Sequence, residues 1–275
     1  MARLLLALLA LACAAPARAA DVPGARLPPS EETAKERLNA SPRHGEWITV
    51  DAGGSPVRTW VVHPERRDKA PVVVVIHEIF GLTDWIRGVA DQLAAEGFIA
   101  VAPDLLSGKG RAGGGTDSFA SRDDVVKAVS ALSRDEVRAR LDAVRKHALA
   151  LPSANGRSAS IGFCWGGATS FAWALKQPAL DAAVVYYGPA PQEAGAIVKI
   201  KAPVLGFYGG NDERVTATIH PTRRAMTDVG NVYETHVFDG AGHGFLRAQS
   251  AQDGANLRAA EQAWPLTIAF LEKHL

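Results

Sequence analysis

The sequence predicts an α/β protein, with a mostly parallel sheet covered by helices on both faces. Three observations lead there. Strand-like and helix-like segments alternate along most of the 275 residues, the pattern that β-α-β units produce. The run Val72 to Ile76 is apolar and β-branched without a break, as expected of a parallel strand buried on both sides. The stretch Gly162-Phe163-Cys164-Trp165-Gly166-Gly167 sets a thiol between small residues where a strand hands over to a helix.

Taken in order, Ser30 to Leu38 is a candidate short polar helix inside a Pro-, Glu- and Lys-rich extension that runs over 21–42. Glu46 to Val50 and Val57 to His63 alternate as strands around the turn Gly53-Gly54-Ser55-Pro56. After the Val72 to Ile76 strand, Trp85 to Ala95 has helical periodicity, Gly97 ends it, and Phe98 to Ala102 forms the next strand. Leu105 to Ser121 carries five glycines and reads as a mobile loop near the mouth of a site. Its Gly108 to Gly113 spells G-x-G-x-x-G, but Pro103 and further residues separate it from the strand and no apolar helix opens inside it, so it does not read as a dinucleotide loop. Then come a helix over Asp135 to Leu149, a strand over Arg157 to Ile161 and a helix over Ala168 to Lys176. Strands follow at Ala182 to Tyr186, Val204 to Tyr208 and Val232 to Phe238, with a helix over Thr222 to Val229 before the last. Asn256 to Lys273 closes the chain as an amphipathic helix that Pro265 should kink or divide.

The first twenty residues differ from the rest. Arg3 precedes an apolar run from Leu4 to Ala15, and Ala17-Arg18-Ala19 supplies small residues where a signal peptidase reads. A secretory leader cleaved near Ala19 or Ala20 is expected, and with it a periplasmic or secreted protein with no stable membrane insertion. The run is shorter than the roughly 20 residues a spanning helix needs. Cleavage would remove Cys13 and leave Cys164 as the one thiol of the mature chain. Residues 43–275 then form a single domain. The formal net charge of +1, with no long basic or acidic block, gives no reason to expect nucleic acid as a partner. No H-E-x-x-H or paired Cys/His spacing suggests a metal, and no cofactor is called for.

Gly162, Cys164 and Gly166 occupy the frame of the G-x-S-x-G elbow, which in an α/β-hydrolase holds the nucleophile on a strand-to-helix turn. In that fold the partners follow as acid and then histidine, each on a loop after a strand. Asp212 follows the Val204 to Tyr208 strand, and His243 follows the last one. Asp239 is a rival acid on the histidine's own loop. His77, His236 and His274 fit less well, being before the nucleophile, inside a strand and terminal. A thiolate is the attacking form, an imidazole lowers the thiol's pKa, and a thioester would form and be hydrolysed. The backbone N–H of Trp165 would hold the oxyanion, with a second N–H from the loop after Ile76. Trp85 and Tyr187 are candidate pocket-lining residues.

With the loop His77-Glu78-Ile79-Phe80-Gly81-Leu82, the elbow, Asn211-Asp212 and Gly242-His243-Gly244-Phe245, the chain resembles the dienelactone hydrolase family from about Pro71 onward. The resemblance implies a Cys-His-Asp triad acting on an enol-lactone or related small ester. It makes Ile79 the second oxyanion donor and Glu78 the acid that contacts the resting thiol and is displaced when substrate binds. It also makes Arg247, with Arg122 as the nearest second candidate, a ligand of the substrate carboxylate. A monomeric, exported cysteine hydrolase of small lactones or esters is the leading expectation. The rivals are a broad aryl esterase or thioesterase with an idle Arg247, and a thiol-reactive binding protein without turnover.

Overall fold

The computed structural model describes residues 27–191, 197 and 199–275. The expected leader and its cleavage site lie outside them. Eight strands form one sheet: β1 Gly45–Asp51, β2 Pro56–Val62, β3 Ala70–Ile76, β4 Ile99–Pro103, β5 Ala154–Phe163, β6 Ala182–Tyr186, β7 Val204–Gly209 and β8 Tyr233–Phe238. Their order is β1-β2-β4-β3-β5-β6-β7-β8. The β1/β2 and β2/β4 pairs are antiparallel, and every later pair is parallel. The arrangement is the α/β-hydrolase fold.

The described helices are α1 Ala34–Asn39, α2 Asp84–Ala95, α3 Arg122–Ser130, α4 Arg134–Leu149, α5 Trp165–Ala174, α6 Glu213–Thr216, α7 Ile219–Thr227 and α8 Ala255–His274. Side chains alternate across a strand, so β3 feeds two cores. Val73 and Val75 pack with α2 and α8, while Val72, Val74 and Ile76 pack with α4, α5 and α7. All seven residues of β3 are buried, which explains why its sequence shows no polar alternation. Burying each such side chain contributes roughly 1.5–3 kcal/mol.

Helix starts follow local chemistry. Ser121 and Ser133 each accept the backbone N–H three residues on, at 3.1 Å, and acidic residues fill both first turns. The α3 segment was not foreseen as a helix, because its apolar positions are few and only Val125 and Val129 are buried. Pro265 does not divide α8, which runs unbroken over Ala255–His274. Ala263, Trp264 and Thr267 are buried around the proline, and this packing holds the turn that lacks one N–H donor.

The loop expected to be mobile is pinned. Asp104 accepts from the Thr116 N–H and hydroxyl, both at 2.7 Å, Thr116 accepts from the Leu82 N–H at 3.0 Å, and Arg140 donates to the carbonyls of Leu105 and Ser107 at 2.9 Å. Residues 27–40 lie across α2 rather than standing free: Trp85 donates to the Pro29 carbonyl at 2.9 Å, and Arg37 to that of Leu27 at 2.8 Å. Among the described residues no helix is long and apolar enough to cross a membrane, and no cluster of His, Cys, Asp and Glu could hold a metal ion.

Candidate active site

A single residue, Cys164, separates β5 from α5, and its backbone sits at φ +55°, ψ −116°. A non-glycine residue in that region costs on the order of 1–3 kcal/mol and persists only where its surroundings enforce it. Here they do. The Cys164 N–H donates to the Tyr186 carbonyl at 3.0 Å, and the Cys164 carbonyl accepts from Ala168 as α5 begins. The flanking glycines are required by space: a Cβ on Gly162 would stand 2.0 Å from the Gly166 carbonyl oxygen, and one on Gly166 would stand 2.3 Å from the oxygens of Ile76 and His77. The elbow is thereby pressed against the end of β3, and the thiol, half-buried, meets the loop that follows it.

Two further loops meet at the same sheet edge. The turn after β7 and the turn after β8 are joined by Gly210 N–H to Phe238 O at 2.8 Å and Asn211 N–H to Ala241 O at 3.0 Å. Asn256 of α8 accepts from the Gly242 N–H at 2.9 Å and so fixes the histidine loop. As a result His243 Nδ1 lies 2.5 Å from Asp212 Oδ2, leaving Nε2 as the free ring nitrogen. The edge of the His243 ring also meets Tyr187, centroids 5.1 Å apart. The rival acid Asp239 is exposed, and His236 pairs with Glu234 at 2.9 Å. His77 is buried with Nδ1 on the Glu78 carbonyl at 2.7 Å and Nε2 facing the Leu105 N–H at 3.3 Å, so backbone engages both nitrogens.

The electrostatics of the thiol follow from its neighbours. Burial, reinforced by the nearby Glu78 carboxylate, pushes Cys164 up to about 11, while the backbone N–H groups of Trp165 and Ile79 pull it back toward the thiolate. Glu78 is itself pushed up to about 7, first by burial, with Arg247 opposing the shift and Glu31 adding to it. Arg247 Nε stands 2.7 Å from Glu78 Oε2, an ion-pair contact off the hydrogen-bond axis. Tyr187 is wholly buried at φ +40°, its hydroxyl without an aligned partner although the phenol helps hold Glu78 down.

Cys164, Trp165, Ile79, Glu78, Tyr187, His243, Asp212 and Arg247 thus share one edge of the sheet. Trp85 does not line it. Only 1% exposed, it packs edge-on against Phe163 at 5.0 Å and ties down Pro29, because the apolar face of α2 turns it into the core. Arg122 does reach this cluster: its guanidinium lies 3.6 Å from the centre of the Phe80 ring, with Arg247 at 5.3 Å from the same ring. Glu31, which no motif marks, spans both arginines, with Oε1 at 3.2 Å from Arg122 and Oε2 against Arg247.

Comparison with known proteins identifies the family. The dienelactone hydrolase family model matches residues 57–275. A carboxymethylenebutenolidase of Pseudomonas putida is 32% identical over 190 residues, covering 66% of this chain and 78% of that one. A solved Klebsiella pneumoniae structure, provisionally described as a dienelactone hydrolase, superposes with a TM-score of 0.73 at 28% identity, covering 82% of this chain and 97% of that one. A dienelactone hydrolase-like promiscuous phosphotriesterase from metagenomic libraries gives 0.69 at 25% identity, covering 84% and 98%. By the extent of the family match and the fold it shares with these structures, this chain belongs to the dienelactone hydrolase family.

Proposed function

We propose that this member of the family hydrolyses small esters or lactones through Cys164, His243 and Asp212, with a thioester intermediate. The observation that carries the reading is a thiol held at a strained elbow on the sheet edge where Asp212 and His243 pair at 2.5 Å. The sulfur attacks the substrate carbonyl and its proton passes to His243 Nε2 as the C–S bond forms. The carbonyl oxygen takes the electron pair and is held by the N–H groups of Trp165 and Ile79. Collapse breaks the C–O bond, and His243 returns the proton to the leaving alkoxide. Water then adds to the thioester as His243 removes its proton; collapse releases the acid and the sulfur, which regains the proton. Asp212 keeps the imidazole in the tautomer with Nε2 free, and stabilises the imidazolium that forms twice per cycle.

The resting thiol is neutral at neutral pH, since burial and Glu78 both disfavour its charge. This suits export, which the leader-like pattern of residues 1–20 supports, because a neutral thiol resists oxidation. Amino-terminal sequencing of the protein recovered from a periplasmic fraction tests export: a start at Ala20 or Asp21 is expected, and an intact Met1 rejects it. Replacing Cys164 with Ala and assaying a panel of enol-lactones and aryl esters tests the chemistry. A fall in kcat/KM of at least about 10³-fold is expected. Unchanged turnover rejects the reading.

A further inference from the structure

We infer that Glu31 is a specificity-determining residue: it fills, from within the chain, an anion site formed by Arg122 and Arg247, and so directs the enzyme toward neutral acyl groups and away from carboxylate-bearing ones. The inference rests on the ester-hydrolase reading above and deepens it.

The site is built as a carboxylate receptor. Two guanidiniums lie over one Phe80 ring and reach opposite oxygens of the same carboxylate, Arg122 at Oε1 and Arg247 at Oε2. Arg247 Nε also stands 2.7 Å from Glu78 Oε2, and the loop that carries Glu78 abuts the elbow, where a Cβ on Gly166 would stand 2.3 Å from the His77 oxygen, so the receptor adjoins the loop packed against the nucleophile. With Glu31 present, two cations face two carboxylates, one of which titrates near 7. Without Glu31, two cations face that one buried carboxylate, and the mouth becomes net positive.

Glu31 is delivered by backbone rather than by chance contact. Its N–H donates to the Arg247 carbonyl at 2.9 Å. On one side Pro28 and Pro29 accept from Gln249 at 3.1 Å and Trp85 at 2.9 Å; on the other, Ser250 donates to Glu32 at 2.8 Å. A turn between Ser30 and Thr33 closes the segment, with the Thr33 N–H on the Ser30 carbonyl at 3.2 Å. The side chain is 40% exposed, so the ion pairs themselves are screened and weak. What matters is tethering: an attached carboxylate competes at an effective concentration of roughly millimolar, which a free carboxylate substrate must exceed.

The test compares an aryl pentanoate with the aryl monoester of glutaric acid, which differs by one terminal carboxylate. Wild type is expected to favour the neutral ester, and Glu31→Gln to raise the glutaryl-to-pentanoyl ratio of kcat/KM about tenfold. Glu32→Gln, which removes a neighbouring charge that pairs with neither arginine in the site, should leave the ratio unchanged. A wild-type preference for the glutaryl ester, or an unchanged ratio in Glu31→Gln, overturns the inference. Binding supplies a readout independent of turnover: glutarate titrated calorimetrically into Cys164→Ala and Cys164→Ala/Glu31→Gln should bind at least tenfold tighter to the double variant. Equal affinity overturns the inference even if neither ester is hydrolysed, an outcome that by itself would remove only the hydrolase reading.

Discussion

The Asp212–His243 pair and the Glu31–Arg247–Glu78–Arg122 cluster both join carboxylates to nitrogen cations or potential cations at one edge of the sheet, yet they are assembled in opposite ways. The pair comes from two adjacent strand-end loops laced to each other by backbone hydrogen bonds, and it uses one 2.5 Å contact to orient one ring. The cluster draws on an N-terminal segment, the loop after β3, the start of α3 and the turn after β8, and it shares two guanidiniums among two acids. Orientation of a proton carrier needs rigidity at one atom. Setting the charge at a pocket mouth needs only that charges of both signs be held near one another. On the proposed mechanism the first region governs rate, and the second governs selectivity and thiol protonation.

The sharpest way to break that assignment is Asp212→Asn. Loss of the acceptor at Nδ1 lets the imidazole take the wrong tautomer and leaves the developing imidazolium unpaired, so kcat should fall by about 10²- to 10⁴-fold. The ratio of rates on the neutral and carboxylate-bearing esters should not move. Steady-state kinetics on both substrates measures the two quantities together. A change in selectivity as large as the change in kcat would show that the two regions are not separable.

The same contrast explains what the sequence disclosed. The elbow, Asp212 and His243 were legible because each sits within a few residues of a strand end, and glycine marks the positions where backbone carbonyls leave no room for a side chain. The parallel core was legible because β3 is buried on both faces and therefore apolar throughout. Trp85 was misplaced because an aromatic at a helix start carries no sign of which face it will occupy. Pro265 does not divide α8, because packing around Trp264 and Thr267 outweighs one missing donor. Glu31 could not be found at all: its partners lie 91 and 216 positions away, and only the course of residues 27–33 across α2 brings them together.

Glu78→Gln probes the cluster's hold on the thiol. The charge of Glu78 raises the Cys164 pKa, so its removal should lower that pKa. Because Glu78 itself titrates near 7, the sign depends on pH in a defined way. At pH 6 the wild-type carboxyl is mostly protonated and the two proteins should alkylate with iodoacetamide at similar rates. By pH 8.5 the wild-type carboxylate is ionised and the variant should react several-fold to tenfold faster. Equal rates at pH 8.5 would detach Glu78 from the thiol.

The smallest effect, and the most selective, is expected from Gly88→Ala, which lies on α2 rather than on a catalytic loop. A Cβ there would meet Pro29 Cγ at 2.4 Å, and a proline ring on a tethered backbone has little freedom to yield. Displacing Pro29 disturbs the segment that carries Glu31, two residues on, while leaving the elbow and the Asp212–His243 pair alone. Overpacking costs roughly 1–3 kcal/mol, and the exchange of glycine for alanine inside a helix returns about 0.5–1 kcal/mol, so urea denaturation should register a loss of about 0–2.5 kcal/mol. The informative reading is selectivity: the glutaryl-to-pentanoyl ratio should rise in the direction of Glu31→Gln but by only two- to threefold, with kcat on the neutral ester unchanged. A lower kcat with an unaltered ratio would mean that the segment supports the catalytic loops rather than the charge at the mouth, and the division between the two regions would fail at the place where it depends on backbone alone.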